Sequence, residues 1–155
     1  KDLLMKIFRR ILNIYKNEVV FKIIGKIEVE KDLKNHCILY GNLSDKTLIA
    51  EVFNSAHCMV MTSRLENLTQ TICEALFCGL PVITFDVGGN KEIISNKNFG
   101  DLVKYPNIND FVDSIIHFAK IDNEIDREKR SKAAKLKFSK SKLIKKHFSL
   151  YEKFL

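Results

Sequence analysis

Apolar residues recur three and four apart from Leu3 to Tyr15, through Leu4, Ile7, Phe8, Ile11 and Leu12, which predicts an amphipathic helix with one buried face. The period then changes. Val19-Val20-Phe21-Lys22-Ile23-Ile24, closed by Gly25, and Cys37-Ile38-Leu39-Tyr40, closed by Gly41, are short apolar runs that predict buried strands. Asn42-Leu43-Ser44-Asp45 supplies cap residues ahead of Leu48, Ile49, Val52 and Phe53, so a helix is expected over about 45–55. Cys58-Met59-Val60-Met61 predicts a third strand. Thr69 to Cys78 predicts a helix stopped by Gly79, and Pro81-Val82-Ile83-Thr84-Phe85 the strand that follows. Asp86-Val87-Gly88-Gly89 is a turn, Asn90–Ser95 a short helix and Asp101-Leu102-Val103 a short strand. Ile108, Phe111, Val112, Ile115, Ile116 and Ala119 mark another amphipathic helix, and Ile144, Phe148, Tyr151 and Leu155 the stripe of a last one.

Strands that are apolar throughout and alternate with helices imply a parallel sheet covered on both faces, so the expected fold is α/β, Rossmann-like and doubly wound. Ligands of such sheets bind outside the carboxyl ends of the strands. Here those ends are Gly25 onward, Tyr40–Asn42, Thr62–Leu68 and Asp86–Gly89.

Composition narrows the class. A chain of 155 residues, 46% hydrophobic and 29% charged, buries a core without disulfides or a structural metal, which excludes a peptide hormone, a zinc-stapled module and a multidomain enzyme. Cys37, Cys58, Cys73 and Cys78 form no CxxC pair, and His36, His57, His117 and His147 form no ligand set, so buried thiols in a reducing cytosol are expected and no metal site. With no apolar run of 18 residues and no signal-peptide layout, a cytoplasmic protein is expected. The opening on Lys1, inside a helical pattern, suggests a piece of something longer. Asn42-Leu43-Ser44 and Asn67-Leu68-Thr69 match the glycosylation sequon, a pattern common by chance.

The formal charge of +7 is unevenly spread. Residues 125–155, a basic helical segment, carry eleven Lys/Arg against three Asp/Glu, whereas residues 1–124 stand at −1. Charge gathered on one terminal segment, rather than spread over a reading surface, argues against nucleic acid as partner.

The segment from Thr62 to Ile83 holds two glutamates eight apart, Glu66 in a loop and Glu74 on the helix that follows. A carboxylate just ahead of a helix N-terminus can accept ligand hydroxyls while the ligand's anion binds the first-turn N–H groups, taken here as those of Leu68, Thr69 and Gln70. Glu74, further along the helix, can reach a second hydroxyl-bearing part. An anion flanked by hydroxyls describes a nucleotide-sugar. The plainer alternative has Glu66 capping the helix and Glu74 as solvated surface. Gly88 and Gly89 likewise either admit close approach of backbone to a ligand or simply make a strand-to-helix turn.

Ser63, Glu66, Glu74 and Ala75, then Gly79, Pro81, Val82 and Ile83, then Asp86, Gly88, Gly89, Glu92 and Ile93 spell S-x-x-E-x7-E-A, G-x-P-V-I and D-x-G-G-x-x-E-I. This succession resembles the C-terminal, donor-binding domain of retaining GT-B glycosyltransferases of family 4, the glycosyl transferases group 1. The E-N-L-x-x-T-I-x-E-A variant with F-D-V-G-G-N resembles bacterial enzymes of capsule, O-antigen and exopolysaccharide synthesis. The resemblance implies that residues 1–155 are a nucleotide-sugar donor domain. It also implies that an opening strand, a loop bearing Arg and Lys, and an N-terminal acceptor-binding domain are absent from it. Glu66 is implied as the catalytic carboxylate facing the sugar, Glu74 as the holder of the ribose hydroxyls, and Asn67, Leu68, Thr69, Gln70, Gly88 and Gly89 as donor-binding. Tyr40, Gly41 and Asn42 would flank the base. The expected donor is a UDP- or GDP-sugar. No Asp-x-Asp occurs, so no cofactor is expected and amides and cations would balance the leaving diphosphate. Two other functions share the fold: a separately encoded donor subunit acting only with a partner, and a sugar-nucleotide 2-epimerase. The basic segment adds an expected contact with an anionic membrane at the inner face of the cell.

Overall fold

The computed structural model describes the chain apart from Lys1, Asn17, Asp122, Asn123 and Leu155, with the side chains of Glu124, Ile125 and Lys146 also outside the description. Helix α1 spans Asp2–Ile14, strand β1 Phe21–Ile24, β2 Cys37–Gly41, α2 Lys46–Asn54, β3 Met59–Met61, α3 Gln70–Phe77 and β4 Val82–Phe85. Then come α4 (Asn90–Ile93), β5 (Gly100–Val103), α5 (Ile108–Ile121), α6 (Glu124–Lys137) and α7 (Lys140–Tyr151). Every strand pairing is parallel, as continuously apolar strands require. The pairings form two ladders, β1-β2 and β3-β4-β5, rather than one continuous sheet.

Strand β4 is the centre of the packing, with all four residues buried. Its alternation sends Val82 into a core with Phe53, Ile72, Ala75, Leu76, Leu80, Ile93, Phe99 and Ala134, built from α2, α3, α4 and α6. Ile83 and Phe85 enter a second core with Ile7 and Ile11 of α1 and Phe111, Val112, Ile115 and Phe118 of α5. Helices therefore cover both faces of the three-stranded ladder, which is the doubly wound arrangement. Met5, Phe8 and Leu12 of α1 reach the other ladder and pack with Ile23, Val29 and Leu33. Helix α1 is thus the element that spans the two ladders. Arg9 fastens it to the 3-10 turn Lys31–His36 through Glu30 and Asp32, at 2.5 and 2.7 Å.

The first strands are less buried than their composition predicts. Ile38 and Leu39 of β2 are 45% and 54% exposed, on a ladder of two strands only. The short helix after the glycine turn ends at Ile93, not at Ser95, and the basic segment is two helices broken at Phe138-Ser139. Ser139 caps the second by accepting from the Lys142 amide. Of the apolar stripe assigned to this last helix, Leu155 lies outside the described residues, and Ile144, Phe148 and Tyr151 are exposed. The four cysteines are half-buried and form no disulfide, and burial pushes the thiols of Cys37, Cys73 and Cys78 up.

Candidate functional site

The chemistry-bearing loops follow β3 and β4, neighbours in one ladder, so both leave the same sheet edge side by side. The loop after β3 carries Glu66, Asn67, Leu68 and Thr69, and the loop after β4 is the Gly88-Gly89 turn. They are fastened backbone to backbone: the Gly89 amide donates to the Asn67 carbonyl at 2.8 Å. A Cβ on Gly88 would collide with the Glu66 carbonyl, and one on Gly89 with the Asn67 carbonyl. Gly88 also sits at φ +54°, in the left-handed region. Sequence reasoning offered these glycines to a ligand or to a plain turn. The structure adds a third reason: the neighbouring loop occupies the space a side chain would need.

Glu66 is half-buried and its Oε2 accepts the Thr69 hydroxyl at 2.8 Å. The bond settles what Glu66 does locally. It does not cap the helix, since its partner is a side-chain hydroxyl and not a backbone amide. Thr69 is the N-cap residue by position, yet with its hydroxyl directed to Glu66 it makes no side-chain cap bond. Helix α3 starts at Gln70, so the amides without intrahelical acceptors are those of Thr69, Gln70, Thr71 and Ile72. They begin one residue later than the Leu68–Gln70 set read from the sequence. An uncapped N-terminus is an electropositive surface beside a carboxylate held in place.

The remaining candidates are spread out. Glu74 is exposed on α3, one helical turn beyond Gln70. Asn67 and Gln70 are exposed, and Leu68 is 58% exposed at the loop surface. Tyr40, Gly41 and Asn42 lie at the end of the other ladder, where the Gly25 amide donates to the Gly41 carbonyl at 2.7 Å. The structure thus brings Glu66–Thr69 and Gly88–Gly89 into direct contact and sets Tyr40–Asn42 on a separate element. Among the described residues no three His, Cys, Asp or Glu side chains converge on a common point.

One residue that the sequence placed in the F-D-V-G-G-N run without a role of its own anchors the site from below. Asn90, the first residue of α4, is fully buried; its side-chain amide donates to Thr84 Oγ1 at 3.1 Å and to the Phe85 carbonyl at 3.2 Å. It pins the glycine turn to the end of β4. The only sequence signal was a polar residue directly after Gly-Gly.

Comparison with known proteins gives the site its context. A 41.2 kDa uncharacterised protein of the cps region of Klebsiella pneumoniae is 30% identical over 155 residues, taking in 93% of this chain and 42% of that protein. A TarM variant of S. aureus, solved in complex with fondaparinux, alpha-GlcNAc-glycerol and UDP, matches with TM-score 0.75 at 26% identity, over 97% of this chain and 32% of its own. The pneumococcal O-GlcNAc transferase GtfA, in complex with UDP and GlcNAc, shares the fold with TM-score 0.71 at 20% identity, over the same shares. The chain spans less than half the length of these proteins.

The loop contact makes a direct prediction. Gly88→Ala must push the Glu66 carbonyl away and adopt a left-handed φ, at a cost of about 1–3 kcal/mol. Thermal unfolding reads this as a clear fall in melting temperature, and an unchanged melting temperature would mean that the two loops are not in contact.

The family of Glycosyl transferases group 1 matches residues 2–137, a span that takes in both loops: the chain belongs to that family and has the fold of GT-B glycosyltransferases.

Proposed function

We propose that the chain is the donor-binding half of a retaining glycosyltransferase that takes a sugar from a UDP- or GDP-sugar and adds it to a capsule, O-antigen or exopolysaccharide acceptor. The observation that carries this reading is the juxtaposition of a fixed carboxylate, Glu66, with the open N-terminus of α3 and the fastened Gly88-Gly89 turn. UDP in the TarM and GtfA complexes and the cps-region relative support it.

In this reading the diphosphate lies against the amides of Thr69 to Ile72, Asn67, Leu68 and Gln70 line its path, and the glycine turn closes the other side. Glu66 faces the sugar, where positive charge develops as the leaving group departs, so its interaction is stronger in the transition state than in the ground state. Glu74 takes the ribose hydroxyls, and Tyr40, Gly41 and Asn42 flank the base. The leaving diphosphate is balanced by amides and by cations, without a metal. An Arg and a Lys from an upstream segment would complete that balance. The break between the β1-β2 and β3-β4-β5 ladders, spanned by α1, supports an additional strand there.

Calorimetry separates the two glutamates. Glu74→Gln weakens a free nucleoside diphosphate and its nucleotide-sugar alike, by roughly ten- to 150-fold. Glu66→Gln leaves the free diphosphate within about two- to threefold and weakens only the nucleotide-sugar, and EDTA changes neither result. Parallel loss of both ligands in Glu66→Gln would make Glu66 a structural residue, and a strict need for magnesium or manganese would contradict the metal-free leaving group.

Helix α7 presents Leu143, Ile144, Phe148 and Tyr151 along one side, 44% to 67% exposed, with Lys142 and Lys145 on the opposite arc. The apolar side suits packing against the acceptor domain, which turns the lysines outward towards an anionic membrane surface. Binding to anionic vesicles should fall as salt rises. Equal binding to neutral vesicles would remove the membrane from the account.

A further inference from the structure

Helix α6 carries five basic residues among its described side chains from Arg127 to Lys135, and a sixth, Lys137, closes it. Much of that charge is spent inside the protein. Arg127 donates to the carbonyls of Asn54, at 3.0 Å, and Ala56, at the C-terminal end of α2. Arg130, only 5% exposed, donates to the carbonyls of Gly79 and Asn98, and Ser131 to that of Phe77 at 2.6 Å, so the pair closes the C-terminal end of α3. The Gly79 position admits no Cβ because the Arg127 backbone lies against it. Lys137 Nζ donates to the carbonyls of Glu92, at 2.6 Å, and Ile93, at 3.1 Å, and to Ser95 Oγ at 2.5 Å, which closes α4. Three successive helices thus end against cations or hydroxyls of one helix, where the orphan carbonyls and the negative end of each macrodipole lie.

These contacts differ in what depends on them. Helices α2 and α3 have nine and eight residues and bury Val52, Phe53, Ile72, Ala75 and Leu76, so packing holds them. Helix α4 is a single turn of four residues, too short to be stable by its own hydrogen bonds. Asn90 fixes its first residue to β4, Ile93 buries one side, and Lys137 supplies the remaining constraint, with its ammonium also 4.9 Å from the Phe138 ring centroid and 5.8 Å from that of Phe99. The N-terminal end of this turn is Gly88-Gly89, bonded to Asn67 and packed on Glu66.

We propose that Lys137 is a positioning residue for the donor site: by holding the C-terminal carbonyls of α4 it fixes the angle at which the Gly88-Gly89 turn meets the loop of Glu66. The proposal rests on the donor reading given above. Lys137 is 45 residues from Glu92 in sequence and touches no ligand in that reading; its hydrogen bonds to Glu92, Ile93 and Ser95 reach the site through α4.

The test uses the whole chain with Lys137→Met, which keeps the stem and removes the donor, Lys137→Arg, which restores one, and Arg127→Met as a control that uncaps α2 instead. Hydrogen exchange should speed about tenfold at the Gly89, Glu92 and Ile94 amides of Lys137→Met while the amides of β4 keep their protection. UDP or GDP, whichever the parent binds, should bind about five- to tenfold more weakly. Lys137→Arg should recover most of both effects, and Arg127→Met should lower the melting temperature with neither effect. Uniform exchange across the chain, or unchanged exchange at Gly89 and Ile94, would overturn the proposal, as would undiminished nucleotide affinity with a loosened turn. A parent chain that binds neither nucleotide would refute the donor reading and with it the role of Lys137 in binding, while the exchange profile decides separately whether Lys137 holds the turn.

Discussion

Between the carbonyls of Glu66 and Asn67 and the backbone of Gly88 and Gly89 there is no room for a methyl group. That closeness ties the ends of β3 and β4 together beyond the ladder itself, and the site depends on it. Glu66 is held from one side by Thr69, whose hydroxyl it accepts, and from the other by the turn packed on its carbonyl. The turn is held by Asn90 below it and by Gly89 bonding across it. Each constraint is short and local, and together they leave the carboxylate little freedom beside four amides that no helix carbonyl satisfies.

The charge along the chain follows the polarity of its helices. At the strand-end edge of the ladder, α3 begins with amides that no side chain caps, the positive end of its macrodipole. At the opposite ends of α2, α3 and α4, the carbonyls meet Arg127, Arg130, Ser131 and Lys137 of α6. A charge of +8 on residues 125–155 looks from the sequence like one surface. Folded, it divides at Ser139 into α6, where Arg127, Arg130 and Lys137 cap neighbouring helices while Lys129, Lys132 and Lys135 face solvent, and α7, whose Lys140, Lys142 and Lys145 are exposed.

Much of the fold could be read directly. The strand at Val82–Phe85 follows from a buried apolar run after the Gly79 and Pro81 stop, and the cap at Asp45 from its place ahead of α2, where it accepts from the Thr47 and Leu48 amides. The motif residues Glu66, Gly88 and Gly89 were visible as types, though not as partners. The misreadings have a common physical source. Ile38 and Leu39 look buried because composition does not say which apolar positions a neighbouring element covers. The capping by α6 is invisible in sequence because its acceptors are mostly backbone carbonyls, identical in every residue, lying 32 to 73 positions away. The Thr69 bond to Glu66 also escaped, since a threonine before a helix predicts a backbone cap.

The loop of Glu66, the open end of α3 and the glycine turn are proposed to form one ligand site. Amide chemical shifts recorded during a UDP titration of the isotope-labelled chain test it most directly. The account predicts that Thr69, Gln70, Thr71, Gly88 and Gly89 shift together along one binding curve, with the amides of α6 and α7 left in place. Shifts centred elsewhere, or glycine-turn amides that stay still while the α3 amides move, would contradict it.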